Sequence, residues 1–445
     1  MSNLNFLPKL AGVCKITEAA VQGVSVDENV DRLKRMHYLK KSIYELMASF
    51  MNRTPEWEVK GALALHIWLD SEHVASLRKR VSEMREPPLH LDKIPDERLQ
   101  RLTDEAMRAA TTIELLSGLK LLRTALAQAY QAYVRATNPL NDHPSCRMLK
   151  LIKLEEEEML TWLGDALEVL LDTAEKREEA ERWEDHLSAY LAAAQGVLGE
   201  LPAFAGTLPA ARSDQPFKLE LVPQRDERFK DLYNSVLTAD EVYQDRSRDP
   251  KERVWALFYK RLREMDVPEM QCSIVAQTKG KPWEYYADMG RQIWDEARHS
   301  MMGEVGFLMN GIDFAQLPIR VNFSYELNTM LTPEERHAIL YAIEFGLMPG
   351  DTGKKYEWET AIASGYDLAV SIQDYDWADE VLHAQIGRKW IIPVFGGNKE
   401  TLEMADKAWE KMAALRGAYV SENPDWWEQF YETVKQKPFV SVTES

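Results

Sequence analysis

Two stretches of the 445-residue chain, WDEARHSMMGE at 294–304 and WADEVLHAQIGRKW at 377–390, each carry Asp-Glu-x-x-His within an apolar pattern of helical period. Residues three apart on a helix project from one face, so a Glu oxygen and a His nitrogen can reach a single ion. The apolar flanks turn Glu296 and Glu380 toward a core. Burying a carboxylate without a partner is expensive, and a bound cation is one of the few ways to relieve it. One Glu-x-x-His arises often on salt-bridged surface helices. Two on separate helices, with further Glu residues on neighbouring ones, form a far more specific pattern.

The rest of the chain reads as helix too. Apolar residues recur at three- and four-residue spacing over 29–51, 56–84, 96–136 and 144–196, and again over 250–279, 283–310, 333–347, 357–391 and 398–416. Strand signals are scarce, with KLELV at 218–222 the strongest, and an extended linker explains it equally well. Pro202, Pro209, Pro216 and Pro223, with Gly199 and Gly206, interrupt the pattern and mark a linker over 198–228. The expected organisation is all-α, with a helical domain over 1–197 and a second over 229–445. The length suits two domains better than one.

Sliding the chain over itself exposes a repeat. Ile67, Trp68 and His73 match Ile293, Trp294 and His299 at one constant offset, which also pairs Trp57 and Glu58 with Trp283 and Glu284. Asp70 then falls on Glu296. With the offset one residue shorter, Glu155 and Glu158 fall on Glu380 and His383. The first half lacks a full set: the position matching Glu344 lies near Gly118, and that matching Glu269 near Ile43. It reads as a degenerate copy, with Glu155 to Glu158 a solvent-exposed face.

One Glu from each of two helices and Glu-x-x-His from each of two others is the ligand arrangement of ferritin-like di-metal bundles. On these motifs the chain resembles the ferritin-like di-iron carboxylate superfamily, including its bacterial families of uncharacterised function. The resemblance covers 250–395 well and 29–175 in outline. It implies two four-helix bundles in tandem, the N-terminal one degenerate. It also implies a metal set of Glu296 and His299 from the second helix, Glu380 and His383 from the fourth, Glu344 from the third and Glu269 from the first. In REMDVPEMQCSIVAQ, Glu264 stays open as the alternative to Glu269, and Pro268 departs from a smooth helix. Asp295 and Asp379 would accept the second ring N–H of a ligand His; solvated helix charges are the plainer reading. His337 and Tyr341, seven and three residues before Glu344, are candidates for a catalytic pocket, against ordinary core roles.

Mixed oxygen and nitrogen donors suit iron, with manganese as the alternative. The expected activity is therefore an O2-dependent oxidoreductase or oxygenase acting on a small organic molecule. A non-catalytic ferritin-like structural or metal-binding protein is the rival. A net charge of −18 argues against nucleic acid or an anionic membrane as partner. Three dispersed Cys and no secretory pattern fit a reducing, cytoplasmic setting. The residues leave the substrate open, and equally whether the chain is a monomer or a homodimer.

Overall fold

The computed structural model describes residues 7–234, 239–417, 419 and 421–441. Among these the protein is all-α, with no strand. No helix among the described residues is long and apolar enough to cross a membrane. The KLELV segment is non-helical and unpaired as a strand, and no helix is described between Ala193 and Ala239.

The chain forms two compact units, of 1–46 with 69–218, and of 47–68 with 219–445. A single cut in the sequence therefore does not separate them. The 47–68 segment joins the second unit, where Trp57 packs against Phe229 and Phe314 at ring separations of 5.1 and 5.9 Å.

In the first unit the expected 96–136 helix is two, Glu97–Ala106 and Thr112–Ala136, and the expected 144–196 helix is His143–Leu170 followed by Ala174–Ala193. Each break sits at a capping residue. Thr111 and Thr173 accept from the backbone N–H groups of Glu114 and Lys176, satisfying donors a helix start leaves open. The Thr112–Ala136 helix packs on both His143–Leu170 and Ala174–Ala193.

In the second unit the first long stretch is divided into Pro250–Leu262 and Asp266–Gln277 by a 3₁₀ turn, Arg263–Met265. Trp283–Leu308 packs on both pieces and on Asp367–Trp390. Asp367–Trp390 packs in turn on Pro333–Gly346, which also meets Asp266–Gln277. These four helical stretches thus close a ring around a shared interior. Two glycines let Trp283–Leu308 approach Pro250–Leu262 closely: a Cβ on Gly303 would lie 2.3 Å from the Leu262 nitrogen, and one on Gly306 2.5 Å from the Phe258 ring. The DWWEQFYETV segment packs inward, with Trp426, Trp427, Phe430 and Val434 buried in the aromatic core.

Candidate metal centre

Each helix of the ring carries polar residues in an otherwise apolar buried row. On Trp283–Leu308 the row runs Met289, Gln292, Glu296, His299, Gly303. On Asp367–Trp390 it runs Gln373, Asp376, Glu380, His383, Gly387. Pro333–Gly346 adds Glu344, and the 3₁₀ turn adds Glu264.

These side chains converge as two adjoining groups. Glu296, Glu344, Glu380 and His383 are all buried, with ligand-type atoms within 4.8 Å of one another, and Glu264, His299 and Asp376 form a second such group. His383 Nδ1 lies 3.2 Å from Glu296 Oε1, 3.3 Å from Glu380 Oε2 and 4.0 Å from Glu344 Oε1. His299 Nδ1 lies 3.4 Å from Asp376 Oδ1, 3.5 Å from Glu264 Oε2 and 3.7 Å from Glu296 Oε2. Glu296 thus presents one oxygen to each imidazole and sits between the groups.

The other ring nitrogens point away, and they cross. His299 Nε2 lies 3.1 Å from Asp379 Oδ2, and His383 Nε2 lies 3.4 Å from Asp295 Oδ2. Each Asp therefore holds the imidazole of the opposite helix, not of its own. Arg298 ties the two together, donating to Asp295 at 2.6 Å and Asp379 at 2.7 Å, while Arg291 donates to Asp295 at 2.8 Å. Asp295 and Asp379 are thereby ion-paired inside the protein, not solvated. An Nε2–H held this way leaves Nδ1 free to offer a lone pair inward.

Burial alone would push His299 down, but Asp379, Glu264 and Glu296 outweigh it and hold its pKa up at about 10. His383 is raised in the same way by Asp295, Glu296 and Glu380. Glu344 is pushed far above the usual carboxylate range, first by burial and then by Glu380 and Glu296. Glu380 goes the opposite way, because Lys354 and His383 overcome its burial. A core that must gather protons to stay neutral has the electrostatic make-up of a cation site. Five carboxylates (Glu264, Glu296, Glu344, Asp376, Glu380) are faced by Arg261, Lys354 and the two imidazoles, which take up protons to meet them.

The donor set fits metal on a second count. Glu264 Oε2, Glu296 Oε1, His299 Nδ1 and Glu344 Oε2 are buried atoms that make no well-formed hydrogen bond among the described residues; Glu264 Oε2 and Glu296 Oε1 face an imidazole nitrogen, at 3.5 and 3.2 Å. All four belong to the two groups. Such atoms occur elsewhere in the core too, but here four ligand-type atoms meet in one place. Oxygen and imidazole donors in this mixture match iron or manganese better than zinc.

Glu269, the first-helix ligand expected from the sequence, is not brought to this centre. Its carboxylate is taken by Lys60 at 2.7 Å, Arg225 Nη2 at 3.0 Å and Ser324 at 3.2 Å, and Glu264 stands beside His299 instead. The two catalytic candidates also lie outside both groups. Tyr341 donates its hydroxyl to Asn398 at 2.6 Å and packs against Gly387. His337 is a buried neutral ring, held near pKa 4 chiefly by burial, with Tyr285 at 6.0 Å. Asp376, Lys354 and Gln292, which donates to Glu344 at 3.3 Å, were not foreseen. For Asp376 the signal was present, since it lies one helical turn before Glu380 on the same face.

The first unit holds a smaller group, Asp70, His73 and Glu156. Here the acids are already matched. Lys40 Nζ lies 2.5 Å from Asp70 and also bonds Glu156, while Arg123 reaches Asp70 at 2.9 Å and Glu156 at 2.8 Å. Glu155 is half-buried and pairs with His73 at 2.5 Å, and Glu158 is exposed. The acid inside is thus Glu156, in the buried row Ile152, Glu156, Met159, Leu163. The expectation that 155–158 is wholly a solvent face fails at this residue. Arg123 supplies the third helix's contact, not a residue near Gly118, and Lys40 the first helix's, not Ile43.

Comparison of the chain with protein-family models, with curated proteins and with solved structures finds no match.

Proposed function

We propose that the second unit is a ferritin-like bundle holding a two-metal centre, and that the protein is an O2-dependent oxidoreductase acting on a small organic molecule. The observation that carries this reading is the convergence of Glu264, Glu296, His299, Glu344, Glu380 and His383, with four of their inward atoms lacking well-formed hydrogen bonds. Glu296 would bridge the ions, and His299 and His383 would each serve one. Two Fe(II) ions held there would supply electrons to O2 as the organic substrate is oxidised. The protein's part is to fix the ligands through Asp295, Asp379, Arg291 and Arg298 and to keep bulk water out.

Anaerobic reconstitution with Fe(II), metal analysis and then O2 uptake test it. About two irons per chain and O2 consumption on exposure to air are expected. The double variant Glu296→Ala/His299→Ala should load no pair. Fewer than about one iron per wild-type chain would end the proposal.

A metal-free structural reading has its own observation, the buried ammonium of Lys354 and guanidinium of Arg261 among the acids. In the first unit, two such cations match two acids. In the second they leave carboxylates that are balanced only by protons on His299, His383 and Glu344, which favours the metal reading.

A further inference from the structure

We infer that the two halves of this centre fill in order, the position beside His383 before the position beside His299, and that Lys354 sets the order. The inference rests on the two-ion reading and adds to it a control on loading.

The two halves are unequal in how their acids are already occupied. Beside His299, Asp376 gives both oxygens to Lys354 Nζ, at 3.0 and 2.9 Å, and one of them also to Arg261. Glu264 is tied through one oxygen to Arg261 at 2.8 Å. Both acids there are thus held by basic side chains before any metal enters. Beside His383, Glu296 Oε1 faces only the imidazole, at 3.2 Å, Glu344 Oε2 has no hydrogen bond among the described residues, and only Glu380 shares Lys354, at 2.8 Å. Neither Glu296 nor Glu344 has a lysine or arginine partner among the described residues. A cation entering the centre gains most where the carboxylates are least compensated.

Lys354 therefore occupies the ground a second ion would need. Its ammonium is fully buried between Asp376 and Glu380, and a divalent ion sharing those oxygens would sit against it with like charge. The lysine is the first residue of the Lys354–Ser364 helix. Its backbone is pinned: its N–H donates to Leu347 O at 3.0 Å, and a Cβ on the preceding Gly353 would lie 2.0 Å from that same oxygen. Only the four-methylene side chain can swing, so the ammonium can be withdrawn without moving the helix. Binding of the second ion is then coupled to displacement of Lys354 from Asp376.

Titration of the metal-free full-length chain with Mn(II), with free Mn(II) counted by electron paramagnetic resonance, tests this without turnover. Wild type should take up two ions, the second weaker by about tenfold or more. His299→Ala should abolish the weaker event and keep the tighter one. Lys354→Met should narrow the gap to within about threefold, whereas Lys354→Arg, which keeps the charge, should preserve it. Two indistinguishable affinities in wild type, loss of the tighter event in His299→Ala, or an unchanged gap in Lys354→Met would overturn the ordering and leave the two-ion reading standing. Failure of wild type to bind any Mn(II) would instead overturn that reading, and the ordering with it.

Discussion

Glu264 and Glu269 are five residues apart, and both look inward, yet the structure gives them different work. Glu269 neutralises Lys60 and Arg225, all three fully buried. Glu264, partly buried, shares Arg261 and faces His299. Glu269→Ala would strand two buried cations and should lower stability by about 3–5 kcal/mol, with iron loading retained in the fraction that folds. Glu264→Ala leaves Arg261 its partners Glu357 and Asp376, so the fold should hold while loading drops to about one iron per chain. Denaturant unfolding and metal analysis on both variants check the pair of outcomes, and the reverse assignment would return Glu269 to the centre. The sequence made Glu296, His299, Glu344, Glu380 and His383 legible because each lies in a regular helical row. It left Glu264 and Glu269 undecided because helical spacing is lost at the 3₁₀ turn between Leu262 and Asp266. Lys354 was invisible for another reason. A lysine at a helix start reads as solvated, and only the tertiary fold turns it inward.

The long helices were legible as elements, because a 3.6-residue apolar period survives local irregularity. Their interruptions were not. Asn322–Met330 passed unnoticed, being short and polar in a segment, NFSYELNTM, whose buried residues are largely Asn, Ser and Glu. The joint that matters most for the site is the 3₁₀ turn, and Trp283–Leu308 pins it. Gly303 leaves no room between its Cα and the backbone of Leu262, and Ser300 donates to Leu262 O at 2.9 Å. In Gly303→Ala the added methyl meets backbone atoms, which cannot rotate aside as a side chain would. The two helices must separate, at a loss of about 1–3 kcal/mol, and the turn carrying Glu264 shifts with them. Lower thermal stability together with weakened binding at the His299 position is expected from unfolding and Mn(II) titration. Unaltered metal binding in a destabilised variant would mean that the turn is not held by this contact.

At the scale of the whole chain, the two units solve the same electrostatic problem differently. Acids on the second and fourth helices point inward in both. In the first unit, Lys40 in the row Leu33, Met36, Lys40, Ile43 and Arg123 in the row Leu119, Arg123, Leu126 supply the opposing charge from the first and third helices. In the second, the first and third helices contribute Glu264 and Glu344, adding to the negative charge. The absence of a His at the first half's position matching His383 was legible in the sequence. The substitution of cations for acids was not, because Lys40 and Arg123 look like ordinary helix charges until Asp70 and Glu156 are placed beside them. The membership of 47–68 in the second unit was likewise hidden, since it depends on what Trp57 packs against. If these readings hold, chelation should separate the units. Removing metal leaves acids of the second unit balanced only by protons, while the first keeps its internal counter-charges. Hydrogen exchange after treatment with a chelator should show amides of Trp283–Leu308 and Asp367–Trp390 losing protection, with those of Thr112–Ala136 and His143–Leu170 unchanged. Asp70→Asn should leave the metal content as it was. Equal loss of protection in both units, or a fall in metal on Asp70→Asn, would mean that Lys40 and Arg123 do not replace metal in the first unit.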